Sequence, residues 1–203
     1  MTKLITLLFI FLPQLVLAES SPQPPPSEMA ALERGEVIVK SVSQKGEGSR
    51  FNAWAIFHTP IEKIKDVLVD FNSYPKFMPD ITHIELISHS PDVVNYTLGL
   101  PLGIEKRYRL SHSIDIEKKE VRLRWKQVPW KEVLLKDSIR HTEGMWHLSE
   151  LEKNKTLVFY DVYTDPGGVP FGLGWIVDYL SKESVPNVLL NTKAYVTDSS
   201  FRK

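Results

Sequence analysis

The side chains most able to do chemistry in this chain are its histidines and its mid-strand ionisable residues, and their spacing argues against most catalytic constellations. The six histidines, His58, His83, His89, His112, His141 and His147, include no pair four residues apart, the spacing that would bring two imidazoles to one helix face around a metal ion. There is no Gly-x-Ser-x-Gly elbow and no His-Glu-x-x-His. The glycines from Gly167 to Gly174 lack the lysine and hydroxyl that a phosphate-binding loop needs. No metal, cofactor or catalytic residue is therefore expected. Four ionisable residues, Glu105, Arg107, His147 and Asp161, sit in strand-like stretches where each could face an interior. An inward charge costs on the order of several kcal/mol unless paired, so an inward Asp161 or Arg107 would mark contact with a ligand head group or a proton shuttle.

The aromatic residues point to binding rather than turnover. Trp54, Tyr96, Tyr108, Trp125 and Trp146 all fall in strand-like stretches, where they line either a packed core or a cavity. Amphipathic rings, apolar with one hydrogen-bonding tip, suit a lipid that carries a polar head. Phe77 and the adaptable Met78 suit a pocket floor. Each methylene taken out of water contributes about 0.8 kcal/mol, so a sixteen-carbon chain would gain on the order of ten kcal/mol before ordering costs. Such a pocket needs no catalytic group.

These residues must be held by a sheet. Val37, Val39 and Val42 mark a first short strand, Lys45-Gly46-Glu47-Gly48 a turn, and Phe51 to Phe57 a second strand. Thr59-Pro60-Ile61-Glu62 predicts a helix start in which Thr59 caps and Glu62 closes a capping box, with Ile61, Ile64, Leu68 and Phe71 on one face. Asn72 to Pro75 should interrupt that helix, and Lys76 to Pro79 reads as a short helical turn. Six strands are then expected at about Ile81 to Ser88, Val93 to Leu98, Ile104 to His112, Val121 to Gln127, Gly144 to Leu151 and Leu157 to Tyr163. Val121, Leu123 and Trp125 alternate with Arg122, Arg124 and Lys126, which reads as a half-buried strand with a solvated basic face. After the turn Asp165 to Pro170, a long amphipathic helix reaches about Val196. The plan is α+β, a curved antiparallel sheet with its helices on one face.

Three stretches resemble a known family: Ala53 to Leu68, Tyr74-Pro75-Lys76-Phe77-Met78-Pro79, and Gly144-Met145-Trp146-His147-Leu148 continuing through Asp165-Pro166-Gly167-Gly168 into the terminal helix. In order and spacing the chain resembles the START-like and polyketide cyclase (SRPBCC) superfamily, most closely its coenzyme-Q-binding and bacterial START-like branch. The resemblance spans about Gly35 to Val196. It implies a helix-grip fold in which the sheet wraps a long C-terminal helix, two short helices follow the second strand, and an internal tunnel lies between. Across that family the tunnel holds lipids, isoprenoid quinones, sterols or polyketides, sometimes with chemistry and often without. Members of the quinone-binding branch act inside mitochondria or the cytoplasm, whereas this chain reads as exported.

Export is expected from the first 18 residues. Lys3 supplies a minimal positive region, Leu4 to Leu12 an apolar one, and Val16-Leu17-Ala18 a small-residue cleavage site. Residues 19–34 read as a Pro/Ser-rich linker and lead-in, and residues 35–203 as one domain. The chain holds no cysteine, which excludes disulfides, thiolate chemistry and lipid attachment through cysteine. Removing residues 1–18 takes away Lys3 alone from 25 basic residues balanced by 25 acidic ones. Without a basic excess, nucleic acid is not an expected partner.

Two loops and the terminal helix complete the expectation. Leu98 to Gly103 makes an apolar hairpin tip, and Val128 to Lys136 combines Trp130 with aliphatics and lysines. Both loops could touch a membrane surface or fold inward as a lid. Pro186 should kink the terminal helix near its middle, leaving a part that includes Phe171, Trp175 and Leu180 to cover the tunnel mouth. The function expected is an exported carrier of a lipid-like apolar molecule. The alternatives are a cyclase or dehydratase using an inward Asp161 or His147, and a non-catalytic interaction domain with a filled core.

Overall fold

The computed structural model describes residues 22–43, 48–100, 103–167, 179 and 183–198. Alternating apolar and polar side chains build eight strands: β1 (Ile38–Val42), β2 (Ser49–Phe57), β3 (Ile81–Ser88), β4 (Asp92–Leu100), β5 (Ile104–Ile116), β6 (Glu120–Val128), β7 (His141–Glu152) and β8 (Lys155–Asp165). They form a single curved sheet in the order β1-β2-β8-β7-β6-β5-β4-β3, every neighbour antiparallel. All eight expected strands are present, most of them one to four residues longer at an end than the hydrophobic alternation alone indicates. Backbone pairing continues past the last buried side chain, most visibly where β5 runs on to Ile116 with its last four residues exposed.

Among the described residues three α-helices accompany the sheet: α1 (Met29–Glu33), α2 (Ile61–Val69) and α3 (Val185–Thr197). The face expected of α2 is the one it buries, through Ile61, Ile64, Val67 and Leu68. Its start differs from expectation. Pro60 occupies the N-cap and no side chain caps the helix. Thr59 is buried instead, and its carbonyl accepts a 2.8 Å hydrogen bond from the Thr156 hydroxyl, which ties the start of α2 to β8. The short helical turn also lies earlier than expected, as a 3-10 turn over Phe71–Lys76. Pro75 is tolerated there because a 3-10 turn this short leaves few amides to satisfy.

Helix α3 packs against β1, β2 and α2, and its Val185, Val188, Leu189, Tyr195 and Val196 join the main core. Pro186 lies in the first turn of the described helix, directly after the π-helical Glu183 and Ser184, and the segment in which a longer helix and its kink were expected falls largely outside the described residues. The gate expected from Phe171, Trp175 and Leu180 lies outside the described residues, as does the segment read as a signal peptide.

The two faces of the sheet carry different cores. The inner face meets α2 and α3 through the larger cluster. The outer face carries a smaller one, in which Leu32 of α1 is buried against Trp54, Ile56, Leu157 and Phe159. Residues 22–33, expected to be linker and lead-in, thus pack on the sheet, and the Trp54 indole donates to the Pro22 carbonyl at 3.0 Å. Arg122 departs from its expected place on a solvated face: it is buried on the outer side and bonded to Glu117 and Glu120.

Candidate functional site

Between the inner face of the sheet and the start of α3 the packing leaves a cavity of about 170 Å³. Strand alternation decides its walls, because successive side chains point to opposite faces. β4 contributes Tyr96 and Leu98, β5 contributes Tyr108, Leu110 and His112, and β6 contributes Leu123 and Trp125. Trp146 of β7 and Tyr160 and Val162 of β8 complete the sheet side. Tyr74, Met78 and Pro79 close the cavity from the segment after α2, and Ser184, Val185 and Val188 from α3. A water-sized occupant takes roughly 10–15 Å³ by this measure, so the described walls enclose space for on the order of a dozen non-hydrogen atoms.

Aromatic packing sets the shape of the wall. Tyr96 and Tyr108 stand opposite each other across β4 and β5 and stack at 5.2 Å. Tyr160 stacks on Trp125 at 5.6 Å and tilts against Trp146 at 4.5 Å. Gly144 makes the second arrangement possible. A Cβ at that position would lie 2.5 Å from the Trp125 ring and 2.1 Å from the Asp161 carbonyl oxygen, so only glycine lets β7 and β8 pair beneath that indole.

The polar groups of the cavity wall include four phenols, the His112 imidazole, the Trp125 and Trp146 indoles and the hydroxyls of Ser49, Thr142, Thr164 and Ser184. The Tyr74 hydroxyl donates to the Leu68 carbonyl at 2.7 Å. The Tyr96 hydroxyl meets His112 Nε2 at 3.0 Å, and the His112 ring packs on Phe71 at 4.5 Å. Burial lowers the His112 pKa from 6.5 to about 4, so the imidazole is neutral at neutral pH. Its Nδ1 is buried and has no hydrogen-bond partner. Burial also pushes the phenols of Tyr74, Tyr96, Tyr108 and Tyr160 upward, with neighbouring phenols adding to the effect at Tyr74, Tyr96 and Tyr160 and Asp80 adding to it at Tyr108, and all four remain protonated. None of the described lining residues carries a formal charge.

Of the residues expected to bind ligand, Met78, Tyr96, Tyr108, Trp125 and Trp146 stand on the cavity wall. Phe77 is buried one layer behind it, stacked on Tyr195 at 4.6 Å. Trp54, Arg107 and Asp161 lie on the outer face of the sheet or its edge and do not reach the cavity. Trp54 belongs to the outer cluster. Arg107 is exposed on β5, beside the inward Tyr108. Asp161 receives two hydrogen bonds from Arg50, at 2.8 and 2.6 Å, which compensate its burial without any ligand. His147 also points outward, to Glu120 at 3.2 Å. Phe171, Trp175 and Leu180 lie outside the described residues. Tyr74, His112 and Tyr160 are the aromatic and imidazole wall residues, besides Phe51, that sequence reasoning missed, along with most of the aliphatic and hydroxyl-bearing ones. Two of them follow from strand period alone, His112 at two steps from Tyr108 and Tyr160 as the inward neighbour of Asp161.

The cavity lies toward the sheet end where β2, β5 and β7 begin and β4, β6 and β8 finish. At that end the β6–β7 loop exposes Leu134 and Leu135, 62% and 91% accessible. Lys131 and Lys136 flank them, and Lys106 donates to the Lys136 carbonyl at 2.6 Å. Trp130, expected to be the exposed tip, is half-buried with the Arg109 guanidinium 5.0 Å from its ring centre. Leu100 is buried, and Pro101 and Leu102 lie outside the described residues. From α3's side, Tyr179 donates to Asp80 at 3.1 Å, next to the cavity residues Pro79 and Ile81.

No protein-family model matches the chain, and no curated protein matches it in sequence. Solved structures do. The STAR-related lipid transfer protein of Xanthomonas axonopodis is 16% identical and superposes with a TM-score of 0.63 over 79% of this chain and 99% of its own. Human STARD10 is 15% identical, with a TM-score of 0.65 over 90% of this chain and 83% of its own. The Zhui aromatase/cyclase of a Streptomyces species is 12% identical, with a TM-score of 0.56 over 75% and 98%. By fold the protein stands with the START-like lipid-transfer and aromatase/cyclase domains. The helix-grip architecture that the sequence resembles is the one the chain adopts.

Proposed function

We propose that this protein is an exported carrier that holds a lipid-like apolar small molecule in its internal cavity and passes it to or from a membrane without altering it. The observation that carries the reading is the cavity itself, apolar and aromatic, between the sheet and α3. Lipid-transfer proteins of the same fold support the ligand class. Burying a dozen methylenes would contribute roughly ten kcal/mol before ordering costs, enough for useful affinity with no further chemistry. The export part rests on residues 1–18 as read from sequence and places the protein in the periplasm or outside the cell.

The mouth suits contact with a bilayer. Leu134 and Leu135 are large, apolar and exposed, and the adjacent lysines match an anionic lipid surface. Transfer of radiolabelled methyl decanoate, a neutral ester of about a dozen non-hydrogen atoms that matches the cavity, between vesicles containing anionic lipid tests the proposal. The protein should accelerate transfer, and Leu134→Ser with Leu135→Ser should slow it by roughly tenfold or more at unchanged thermal stability, since each leucine withdrawn from the membrane forfeits about 1.5–3 kcal/mol. Transfer no faster than the spontaneous rate contradicts the proposal.

A second reading, turnover of a bound substrate, has one observation in its favour: the buried Tyr96–His112 pair on the cavity wall. An aromatase/cyclase shares the fold. Its base would be His112 and not Asp161 or His147, both of which point away.

A further inference from the structure

The polar groups on the cavity wall restrict the ligand beyond its being apolar. Four phenol hydroxyls lie near one another inside the cavity, on Tyr74, Tyr96, Tyr108 and Tyr160. Two are already engaged, Tyr74 with the Leu68 carbonyl and Tyr96 with His112. The hydroxyls of Tyr108 and Tyr160 have no hydrogen-bond partner among the described residues, and neither is sealed off from open space. Buried polar groups are nearly always satisfied, so two free phenols facing one apolar cavity call for a partner that the chain does not supply. That partner is unlike a carboxylate or phosphate. A buried anion needs a cation beside it, and no described lining residue is charged, His112 being neutral at neutral pH.

We propose that the cavity selects an uncharged apolar molecule bearing a carbonyl or similar neutral oxygen, which accepts hydrogen bonds from the hydroxyls of Tyr108 and Tyr160. The inference rests on the carrier reading and names its ligand class. The aromatic wall agrees with it. Tyr96 stacked on Tyr108, and Trp125 on Tyr160, hold both donors rigid, so little rotamer freedom is lost when the oxygen docks. Fatty-acid anions and phospholipid head groups are excluded from the same position by the cost of desolvating them.

Three probes of one chain length, about a dozen carbons to match the cavity, separate the possibilities: a methyl ketone, the corresponding carboxylate and the alkane. Quenching or enhancement of the tryptophan fluorescence of the whole protein at neutral pH reports binding through Trp125 and Trp146, which line the cavity. The ketone should bind at least tenfold more tightly than either the alkane or the carboxylate, as expected of two hydrogen bonds made without burying a charge. In a Tyr108→Phe, Tyr160→Phe variant the ketone should lose its advantage over the alkane, which should bind at least as tightly as before because the wall has become more apolar. Retained alkane binding shows the variant to be folded with its cavity intact, and the single Phe variants supply the same comparison if the double variant does not fold. A carboxylate that binds as well as the ketone, or a ketone preference that survives both substitutions, overturns the inference and leaves the carrier reading standing. Binding of none of the three overturns both.

Discussion

His112 shows how much a single buried side chain reveals about this interior. Its pKa falls from 6.5 to about 4 because burial penalises the imidazolium. Between those values the unfolded chain binds a proton that the folded one does not, so stability is complete above about pH 6.5 and declines as pH falls toward about 4. The loss should be on the order of 3 kcal/mol, and His112→Gln, which keeps a hydrogen-bonding group beside Tyr96, should flatten that part of the profile. Urea denaturation at a series of pH values checks this, and an identical slope in the variant would show that the titration belongs elsewhere. The same strand explains what sequence reading could and could not locate. Arg107 and Tyr108, both expected at the ligand, are adjacent in β5, and neighbours in a strand cannot share a face, so one of them had to be wrong. In β8 the expected Asp161 faces outward and its neighbour Tyr160 takes the inward place. Which neighbour points inward depends on the side that α3 covers, and no local pattern states that.

At the scale of elements, the alternation of β4 through β8 was legible because one face of each of these strands is largely buried and short polar turns end β5 and β7. The helices were less so. Thr59 looks like a cap in sequence but spends its carbonyl on Thr156, a partner 97 residues away. Pro186 stands where the described α3 follows the π-helical Glu183 and Ser184, and most of the segment before them lies outside the described residues. Gly144 carried no sequence signal beyond its place in a strand, yet it sets the spacing of β7 against the Trp125 ring and the β8 backbone. Gly144→Ala should destabilise the protein by about 1–3 kcal/mol or more through overpacking, and should push Trp125 toward the cavity. A denaturant midpoint with a near-ultraviolet circular dichroism spectrum would register both effects, whereas unchanged values would mean that β7 and β8 can separate at no cost.

For the whole molecule, the division of labour between the two sheet faces is the main result. The outer face carries charge in closed pairs, such as Arg50 with Asp161, and a small core under α1. The inner face carries an uncharged cavity, placed toward the sheet end at which the β6–β7 loop exposes Leu134 and Leu135. An arrangement of this kind fits a vessel loaded at a membrane, with binding energy drawn from apolar burial and selectivity from neutral phenols. Native mass spectrometry of the protein, purified without detergent and kept below denaturing conditions, tests this most directly. The account predicts a fraction of molecules heavier than the polypeptide by one small neutral compound, released on unfolding and extractable into organic solvent. A spectrum showing the bare polypeptide alone, with no mass added after exposure to the neutral ketone or to methyl decanoate, would contradict it.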